Sequence, residues 1–414
     1  MSTLTNKFSA FVGLDWANSK HDVCVQLGHD GKRTFEIISH TPEALDEWLT
    51  KLHHQAKGNI AVAVELTKGP IVYALQKYSF ITVYPVQALT LARYRQAFNP
   101  SGAKDDPTDA ELALDLMLKY PSKVTPLKPS SDDVRVLAQF VEQRRLLVED
   151  KRRYVNRLID ALKQYYPQPL AWFSHRDSGL FFNFISKWPS LQSLKRAREN
   201  TIRKFFLSHG GNAVSLTEQR IEAIKNAVPL TEDKAVILPY SLFVETLIEQ
   251  LKTVIVAIKT YDEKIYTLFT DMPDAELFKS LPGTGPCLAP RLLAALGDDR
   301  ARFTSAQEIQ NYAGLSPVTE RSGQKCWVHW RWQCSKFIRQ SFIEWSAKSV
   351  GVSYWAGLYY NQQRAKGKSH QSAVRALAFK WVRIVFRCWK TKVPYDESKY
   401  LKALKERNSP LLAA

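Results

Sequence analysis

A short run of apolar residues, IAVAVEL at positions 60–66, restricts the fold of the first 125 residues more than any other feature. A strand this uniformly apolar is typical of a sheet that is buried on both faces, with helices covering each side. An apolar run at 11–14, an alternating run at 21–27 and a third segment at 33–39 predict three antiparallel strands before it, and Asp30-Gly31 is a hairpin signal between the last two. A helix capped by Thr41 and a strand at 81–86 complete the pattern. We therefore expect an α/β domain at the start of the chain.

Four acidic residues stand where such a domain binds ligands. Asp15 and Glu65 end two of the predicted strands, and open α/β sheets place their sites at the carboxyl ends of strands. The acidic segment KDDPTDA at 104–110 predicts a helix with Pro107 in its first turn and Asp106 as its N-cap, so that Asp106 and Asp109 face the same way. Helix capping and solvation explain each acid separately. When the four acids are taken as a set, a divalent-metal site explains them as well as capping and solvation do.

Two long helices are predicted beyond a linker at 121–129. The first is capped by Ser131, runs to about residue 166 and carries apolar residues at 134, 141, 148, 155 and 162. The second, at 242–269, repeats the same seven-residue period from Val244 to Ile265. Sustained heptads predict a coiled coil, formed either within one chain or between two chains. The aromatic and basic stretch at 167–241 between them carries no pattern that places it.

Positive charge is concentrated near the end of the chain. Residues 321–392 contain fifteen Lys or Arg and a single acid, Glu344, which accounts for +14 of the formal charge of +18. The same stretch carries seven of the eleven tryptophans, of which Trp345 and Trp381 are candidates for the core. Basic side chains neutralise phosphates and aromatic rings stack on bases, so we expect this region to contact nucleic acid.

Two turns in the third region are candidate sites. Gly283 and Gly285, in LPGTGPCLAPRLLAAL, predict a tight turn before a helix, and outward-facing amides at such a turn suit a phosphate, as in a helix-hairpin-helix element. A turn that only joins two packed helices explains them equally well. Ser322 precedes a glycine in a predicted loop at 319–324. Such a serine usually completes a turn, and a nucleophile is the rarer alternative.

Other function classes are disfavoured by composition. No apolar run approaches the ~20 residues that span a bilayer, and residues 1–9 are too short and polar for a signal peptide. Five scattered cysteines without zinc-ligand spacing predict reduced thiols in a cytoplasmic protein.

Taken together, these motifs resemble one family: insertion-sequence transposases with a ribonuclease-H-like (RuvC-like) DEDD domain followed by a serine-bearing transposase domain. Pilin-gene-inverting recombinases belong to the same family, and its best-understood members are guided by a bridge RNA. The resemblance rests on GLDWANSKHDV, VAVEL and KDDPTDA near the start, and on LPGTGP, F-x8-YAGLSP, ERSG and KTKVPYDESKY near the end. The segment after the serine departs from relatives, since only Arg339 matches their basic pattern.

The resemblance implies a fold of class α/β plus α in three parts. These are a RuvC-like catalytic domain at 1–125, a central long-helix coiled coil at 130–270 with the insertion 167–241, and a mainly helical, basic transposase domain at 276–400. It implies four metal-binding carboxylates, Asp15, Glu65, Asp106 and Asp109, with two Mg²⁺ ions, and Ser322 as the nucleophile. Asp105 stands where many relatives carry Thr and is left outside the site.

The expected activity is that of a DNA transposase or site-specific recombinase, which cleaves and rejoins donor and target DNA through a phosphoserine intermediate. Expected partners are DNA, a guide (bridge) RNA and further copies of the chain in a homodimer or homotetramer, in the bacterial cytoplasm and at the nucleoid during action. We assign nucleic-acid contacts to the following residues: Gly283, Gly285, Arg321, Lys325, Arg331, Lys336, Arg339, Arg364, Lys366 and Lys368. Three alternatives remain: a metal-dependent nuclease or junction resolvase that uses water, a DNA invertase without an RNA guide, and a nucleic-acid-binding scaffold whose acids only cap helices.

Overall fold

The computed structural model describes residues 7–28, 31–98, 105–209 and 214–412. The chain divides into two compact units, Met1–Pro129 and Ser130–Ala414. The first is a mixed α/β unit and the second is mostly helical. In the described ranges, no helix is both long enough and apolar enough to cross a membrane.

The first unit is built around a five-stranded sheet. Its strands are β1 (Ala10–Trp16), β2 (Lys20–Leu27), β3 (Arg33–Ser39), β4 (Ile60–Val64) and β5 (Ile81–Pro85), and its helices are α1 (Pro42–Ala56), α2 (Pro70–Gln76), α3 (Ala88–Phe98) and α4 (Asp106–Lys119). The strand order is β3-β2-β1-β4-β5. β1 and β2 pair antiparallel, as do β2 and β3, whereas β1, β4 and β5 are parallel.

Alternate residues of β1 and β4 enter two separate apolar cores, one on each face of the sheet. Val12 and Val62 belong to the core that contains Leu49 of α1, whereas Phe11 and Ala61 belong to the core that contains Leu114 of α4. This division follows from the two-residue period of a strand. The prediction that the 60–66 segment forms a strand buried on both faces is confirmed, since all five residues of β4 are buried.

Some predicted boundaries were wrong by one or two residues. β1 continues past Asp15 to Trp16, and β4 ends at Val64, two residues earlier than predicted. Asp105 is the N-cap residue of α4, whereas Asp106 is already helical. Adjacent aspartates compete for a cap position, so sequence alone did not distinguish them. Asp30 of the predicted hairpin signal and Lys104 of the acidic segment lie outside the described residues.

The second unit contains the remaining elements. Its first helices are α5 (Asp132–Tyr165), α6 (Gln168–Trp172), α7 (Gly179–Lys187), α8 (Leu191–Lys195), α9 (Glu199–Ser208), α10 (Val214–Asn226) and α11 (Lys234–Thr270). They are followed by α12 (Ala275–Lys279), α13 (Gly285–Leu296), α14 (Ala306–Tyr312), strands β6 (Val318–Ser322) and β7 (Lys325–His329), α15 (Lys336–Ser349), α16 (Tyr354–Ala365), α17 (His370–Thr391) and α18 (Glu397–Glu406). α11 begins eight residues before the predicted start, because Asp233 caps it through the backbone amide of Ala235.

The two long helices pack antiparallel within the chain. Residues near the start of α5 share a core with the end of α11, as Val141 does with Ile265, and Leu158 shares a second core with Leu251. The middle of the pair is more open, since Val148 of the predicted heptad row is 39% exposed. Of the two arrangements that the heptads allowed, pairing within one chain is observed. Supercoiling of the pair stays a prediction.

The insertion at 167–241 forms short helices around an aromatic core beside one end of this pair. Phe173, Phe184 and Phe206 pack together there. The Arg220 guanidinium lies 4.6 Å from the Phe173 ring centre, and its Nε donates to the carbonyl of Trp172 at 3.0 Å. Burial lowers the pKa of Arg220, and these contacts place its charge against aromatic faces. The insertion is therefore a folded part of the second unit.

Tryptophans form the centre of the C-terminal helices. Trp345, Trp355, Trp381 and Trp389 are fully buried, and the Trp381 ring lies 4.6 Å from both Trp345 and Trp355. The prediction that Trp345 and Trp381 belong to the core is confirmed. The other three tryptophans of the basic stretch, Trp327, Trp330 and Trp332, lie on or just after β7, and Trp332 is 80% exposed.

Candidate active site

α4 lies directly against the central strand β1. A Cβ added at Gly13 would stand 1.8 Å from the carbonyl oxygen of Ala110, so only glycine allows this approach. Arg33 of β3 pairs with Asp115 and, at 2.7 Å, with Glu111, both on α4. Because Arg33 lies beside the start of β1 in the sheet register, α4 runs with its N-terminus toward the carboxyl end of β1.

Asp15 and Glu65 lie at that carboxyl end. Leu14 and Val64 are neighbours in the parallel register, so the two acids follow one another on adjacent strands. Asp15 continues the row of β1 that faces α4, because side chains two residues apart on a strand share a face and Gly13 precedes it. Asp15 is half-buried, whereas Glu65 is exposed and lies one residue past the end of β4. Asp15 and Glu65 therefore lie at the same end of the sheet.

Asp109 is the buried member of the set and already has a cationic partner. Its side chain is 4% exposed, and its Oδ1 accepts from Nε of Arg95 on α3 at 2.6 Å and lies 2.5 Å from Nη2. Asp106, one turn earlier, is half-buried. Within the described ranges, no group of three or more His, Cys, Asp or Glu lies close enough to hold a metal. The carboxylates have the oxygen ligands that Mg²⁺ prefers, but Arg95 neutralises one of them here.

Two residues beside these acids were missed from the sequence. Arg95 is one, and Asp22 of β2 is the other: it is the cross-strand neighbour of Asp15 and only 4% exposed. Lys20 lies 3.4 Å from the Asp22 carboxylate. Strand alternation would have put Asp22 on the same face as Asp15 once the pairing of β1 with β2 was known. Two carboxylates thus stand side by side at the start of the site.

Two histidines in contact lie on the opposite face of the same strands. His21 pairs with Trp16 in the register and is fully buried. Its Nε2 lies 2.9 Å from Nδ1 of His40, and its Nδ1 accepts from the backbone amide of Ala17 at 3.4 Å. Burial, followed by the charge of His40, lowers the pKa of His21 to about 4. His21 is therefore uncharged at neutral pH.

Ser322 lies at the tip of a two-stranded hairpin, not in the loop that the sequence predicted. It pairs with Lys325 across a two-residue turn whose first residue, Gly323, has φ +56°, a conformation that tight hairpin turns require and glycine supplies. Arg321, Ser322 and Lys325 are all exposed. The serine hydroxyl is thus accessible and has basic neighbours on both strands.

The glycine turn before α13 is partly occupied by protein. A Cβ at Gly283 would meet the backbone of Lys348 and Ser349 at 3.1 Å, and the indole Nε1 of Trp345 donates to the carbonyl of Pro282 at 2.8 Å. Gly285 has no atom within 4 Å of an added Cβ and is exposed. Close packing therefore explains why residue 283 is glycine. Gly285 has open space beside it, and a phosphate contact there stays a prediction.

The basic residues form an uncompensated surface around the hairpin. No carboxylate pairs with Arg331, Arg339 or Lys368 in the described part of the chain, and Glu344 is engaged by Arg291. The remaining predicted contacts, Lys336, Arg364 and Lys366, are exposed. Basic side chains this close repel one another, and an anion bound among them offsets that repulsion.

Comparison with known proteins covers both units. A transposase model of the DEDD, IS110 type matches residues 12–167, and a model of transposases of the IS116/IS110/IS902 family matches residues 275–361. A Streptomyces coelicolor protein described as the candidate mini-circle transposase for IS117 is 26% identical over 95% of this chain and 97% of its own length. A 44.8 kDa protein of insertion element IS116 from Streptomyces clavuligerus is 24% identical over 92% of this chain and 95% of its own. The pilin gene-inverting protein of Moraxella bovis is 27% identical over 34% of this chain and 46% of its own. The chain belongs to the IS116/IS110/IS902 family of transposases.

Proposed function

We propose that this transposase cleaves and rejoins DNA strands with Ser322 as its nucleophile and the acids at the end of the first sheet as its metal ligands. The observation that carries the proposal is the position of Ser322, exposed at a hairpin tip with Lys325 as its cross-strand neighbour on the same face. A cation beside a hydroxyl attracts a phosphodiester and stabilises the negative charge that develops on it.

The proposed step is a phosphoryl transfer. The hydroxyl oxygen of Ser322 forms a bond to phosphorus and gives up its proton, the bond from phosphorus to a deoxyribose oxygen breaks, and the leaving oxygen takes up a proton. The phosphoserine link conserves the energy of the phosphodiester, so a second DNA end reverses the step and is joined. This reversibility separates recombination from hydrolysis.

Asp15, Glu65, Asp106 and Asp109 are the proposed ligands of two Mg²⁺ ions, which would supply charge neutralisation at the phosphate. The position of Asp15 and Glu65 at one end of the sheet supports this proposal. The ion pair between Arg95 and Asp109 opposes it, and this pair would have to open before Asp109 binds a metal. Asp22 lies beside Asp15 and would add to the negative potential that draws cations. The same proposal includes a guide RNA, which the basic surface supports. It also includes assembly into a homodimer or homotetramer.

Ser322→Ala tests the nucleophile. With a DNA substrate that carries the ends of the element, wild type should give a covalent protein–DNA adduct on a denaturing gel, and Ser322→Ala should give neither adduct nor joined product. Thr319→Ala, three residues earlier on β6 and equally exposed, is the matched control and should retain both. Cleavage that persists in Ser322→Ala would instead identify a nuclease that uses water.

Mixing two inactive variants tests whether subunits share the site. Asp15→Asn and Ser322→Ala chains are purified separately and combined. Recovery of strand exchange in the mixture is expected if the acids of one subunit act with the serine of another. Activity of Asp15→Asn alone would show that the acids only cap and solvate, as in the scaffold alternative.

A further inference from the structure

A cavity of about 390 Å³ opens at the base of the serine hairpin. Its walls come from separate elements: the turn after α14, the residues that follow β7, the end of α16 and one face of α17. Trp330, Tyr359 and Phe379 supply aromatic surface, and Arg331, Lys368 and Arg375 supply positive charge. Its size lies in the range of ~300–1,000 Å³ that small-molecule sites occupy.

Arg375 and Trp330 form the centre of this cavity. The Arg375 guanidinium carbon lies 3.4 Å from the Trp330 ring centre, and the Arg339 guanidinium lies 4.9 Å from the same ring. Burial, together with the nearby charge of Arg339, lowers the pKa of Arg375. Two guanidinium groups on one indole repel each other, so the ring offsets only part of their electrostatic cost.

Hydrogen bonding in the cavity is incomplete. Nε of Arg339, Nε of Arg375 and Nε1 of Trp330 are buried and have no acceptor. Arg339 does donate to the carbonyl of Arg331, and Arg331 donates to that of Ser316 at 3.3 Å. Among the described residues, no carboxylate forms an ion pair with any of these three arginines. Buried donors of this kind call for an acceptor that carries negative charge.

We propose that this cavity binds one unpaired nucleotide of a nucleic-acid strand, with its phosphate at Arg375 and Arg331 and its base against the aromatic wall. Arginine planes and aromatic rings are the groups on which unstacked bases pack. A base in a duplex is already paired and stacked, so its face is not free to pack against the aromatic wall, and the site selects single strands. The proposal rests on the proposed function, because the strand bound here is one on which the serine acts.

The position of the cavity relative to Ser322 gives the site a role. Val328 and His329 of β7 line it, and Val328, the nearer of the two, pairs with Thr319, three residues before Ser322 on β6. At a strand rise of ~3.3 Å per residue, Ser322 lies about 10 Å along the hairpin from this wall. A nucleotide held there would anchor the strand at a short distance from the phosphate that Ser322 attacks.

Binding of short oligonucleotides to the full-length protein tests the proposal. Fluorescence anisotropy is measured with a labelled decamer as single-stranded DNA, as RNA of the same sequence and as a DNA duplex, all at one salt concentration. Arg375→Gln should weaken single-strand binding by about tenfold or more, which is the effect of losing one hydrogen bond to a charged group. Arg387→Gln, an exposed position on the same helix, should weaken it by less than about threefold, as loss of one surface phosphate contact would.

Both variants should lower duplex affinity equally, since neither residue would contact a paired base. A stronger effect on the DNA or on the RNA decamer identifies the strand that is bound. Equal losses in the two variants on single strands would overturn the proposal. If Arg375→Gln fails to fold, Arg375→Lys keeps the charge but loses the planar, forked donors, and single-strand affinity equal to that of the wild type would then be the refuting result. Failure here leaves the Ser322→Ala experiment unaffected, because covalent adduct formation is scored independently.

Discussion

Substituting Gly13 by alanine should separate α4 from β1 and disable the acidic site at its carboxyl end. The added Cβ would stand 1.8 Å from the carbonyl oxygen of Ala110, where real contacts of this kind stay beyond 3.0 Å. Helix and strand must therefore move apart by about 1.2 Å, the difference between these two distances. Backbone atoms block the methyl group, so no side-chain rotation relieves the contact.

The free energy of unfolding should fall accordingly. Overpacking usually costs ~1–3 kcal/mol, and an obstacle of backbone places Gly13→Ala at about 3 kcal/mol or above. Domains have only ~5–15 kcal/mol in total, so the melting temperature of the first unit should drop by roughly 10 °C. Strand exchange should fall with it, since Asp109 precedes Ala110 on the displaced helix while Asp15 stays on the strand.

Hydrogen exchange followed by mass spectrometry localises the effect. Peptides from β1 and α4 should lose protection in Gly13→Ala, whereas those of the second unit should not. Gly179→Ala is the matched control, because an added Cβ there meets nothing within 4 Å at the first residue of α7. Wild-type protection and melting in Gly13→Ala would refute the close approach and the placement of Asp109 derived from it.

Three further outcomes follow from burial and charge. Leu251 is fully buried in the long helix pair, so Leu251→Ala should lower the free energy of unfolding in urea by ~2–5 kcal/mol. Leu146 is 48% exposed, and Leu146→Ala should lower it by less than ~0.5 kcal/mol. Similar losses in the two variants would contradict the packing. His21 has a pKa of about 4 in the folded chain against 6.5 in the unfolded chain, so the unfolded chain binds the extra proton and the free energy of unfolding should decline as pH falls from 6.5 to 4. His21→Gln should flatten this decline in unfolding curves measured across that pH range. The same pH dependence in the variant would exclude His21 as its source. Arg95→Ala leaves the Asp109 carboxylate buried without its cation and should lower the free energy of unfolding by ~3–5 kcal/mol. If Asp109 is a metal ligand, Mg²⁺ should raise the melting temperature of this variant more than that of the wild type.

The sheet of the first unit was predictable because its strands follow their apolar pattern. β3 has the predicted bounds, and β4 is buried throughout. The apolar run of β1 also placed Asp15 near the carboxyl end of its strand, although the strand continues to Trp16. Local periodicity is enough for such elements, since burial on two faces leaves few alternatives for their residues.

The hairpin that carries Ser322 was not predictable in this way. Its strands are polar and exposed on nearly every side chain, so they carry no hydrophobic alternation, and only the glycine turn identifies them. The partners of the site residues were missed for another reason. Arg95 meets Asp109, and Arg375 meets Trp330, across elements that only the tertiary fold brings together. No local pattern encodes those distances.

The exposure of β6 and β7 bears on when the chemistry can begin. A two-stranded ribbon that buries almost nothing is only marginally stable in water, so its outer end is not held in one place by the protein itself. In the proposed reaction, fixing the Ser322 hydroxyl for in-line attack requires ordering free energy, and a bound strand would supply it. We therefore expect slow attack on DNA that contacts the hairpin without ordering it, because the entropic cost of fixing the hydroxyl is then not offset.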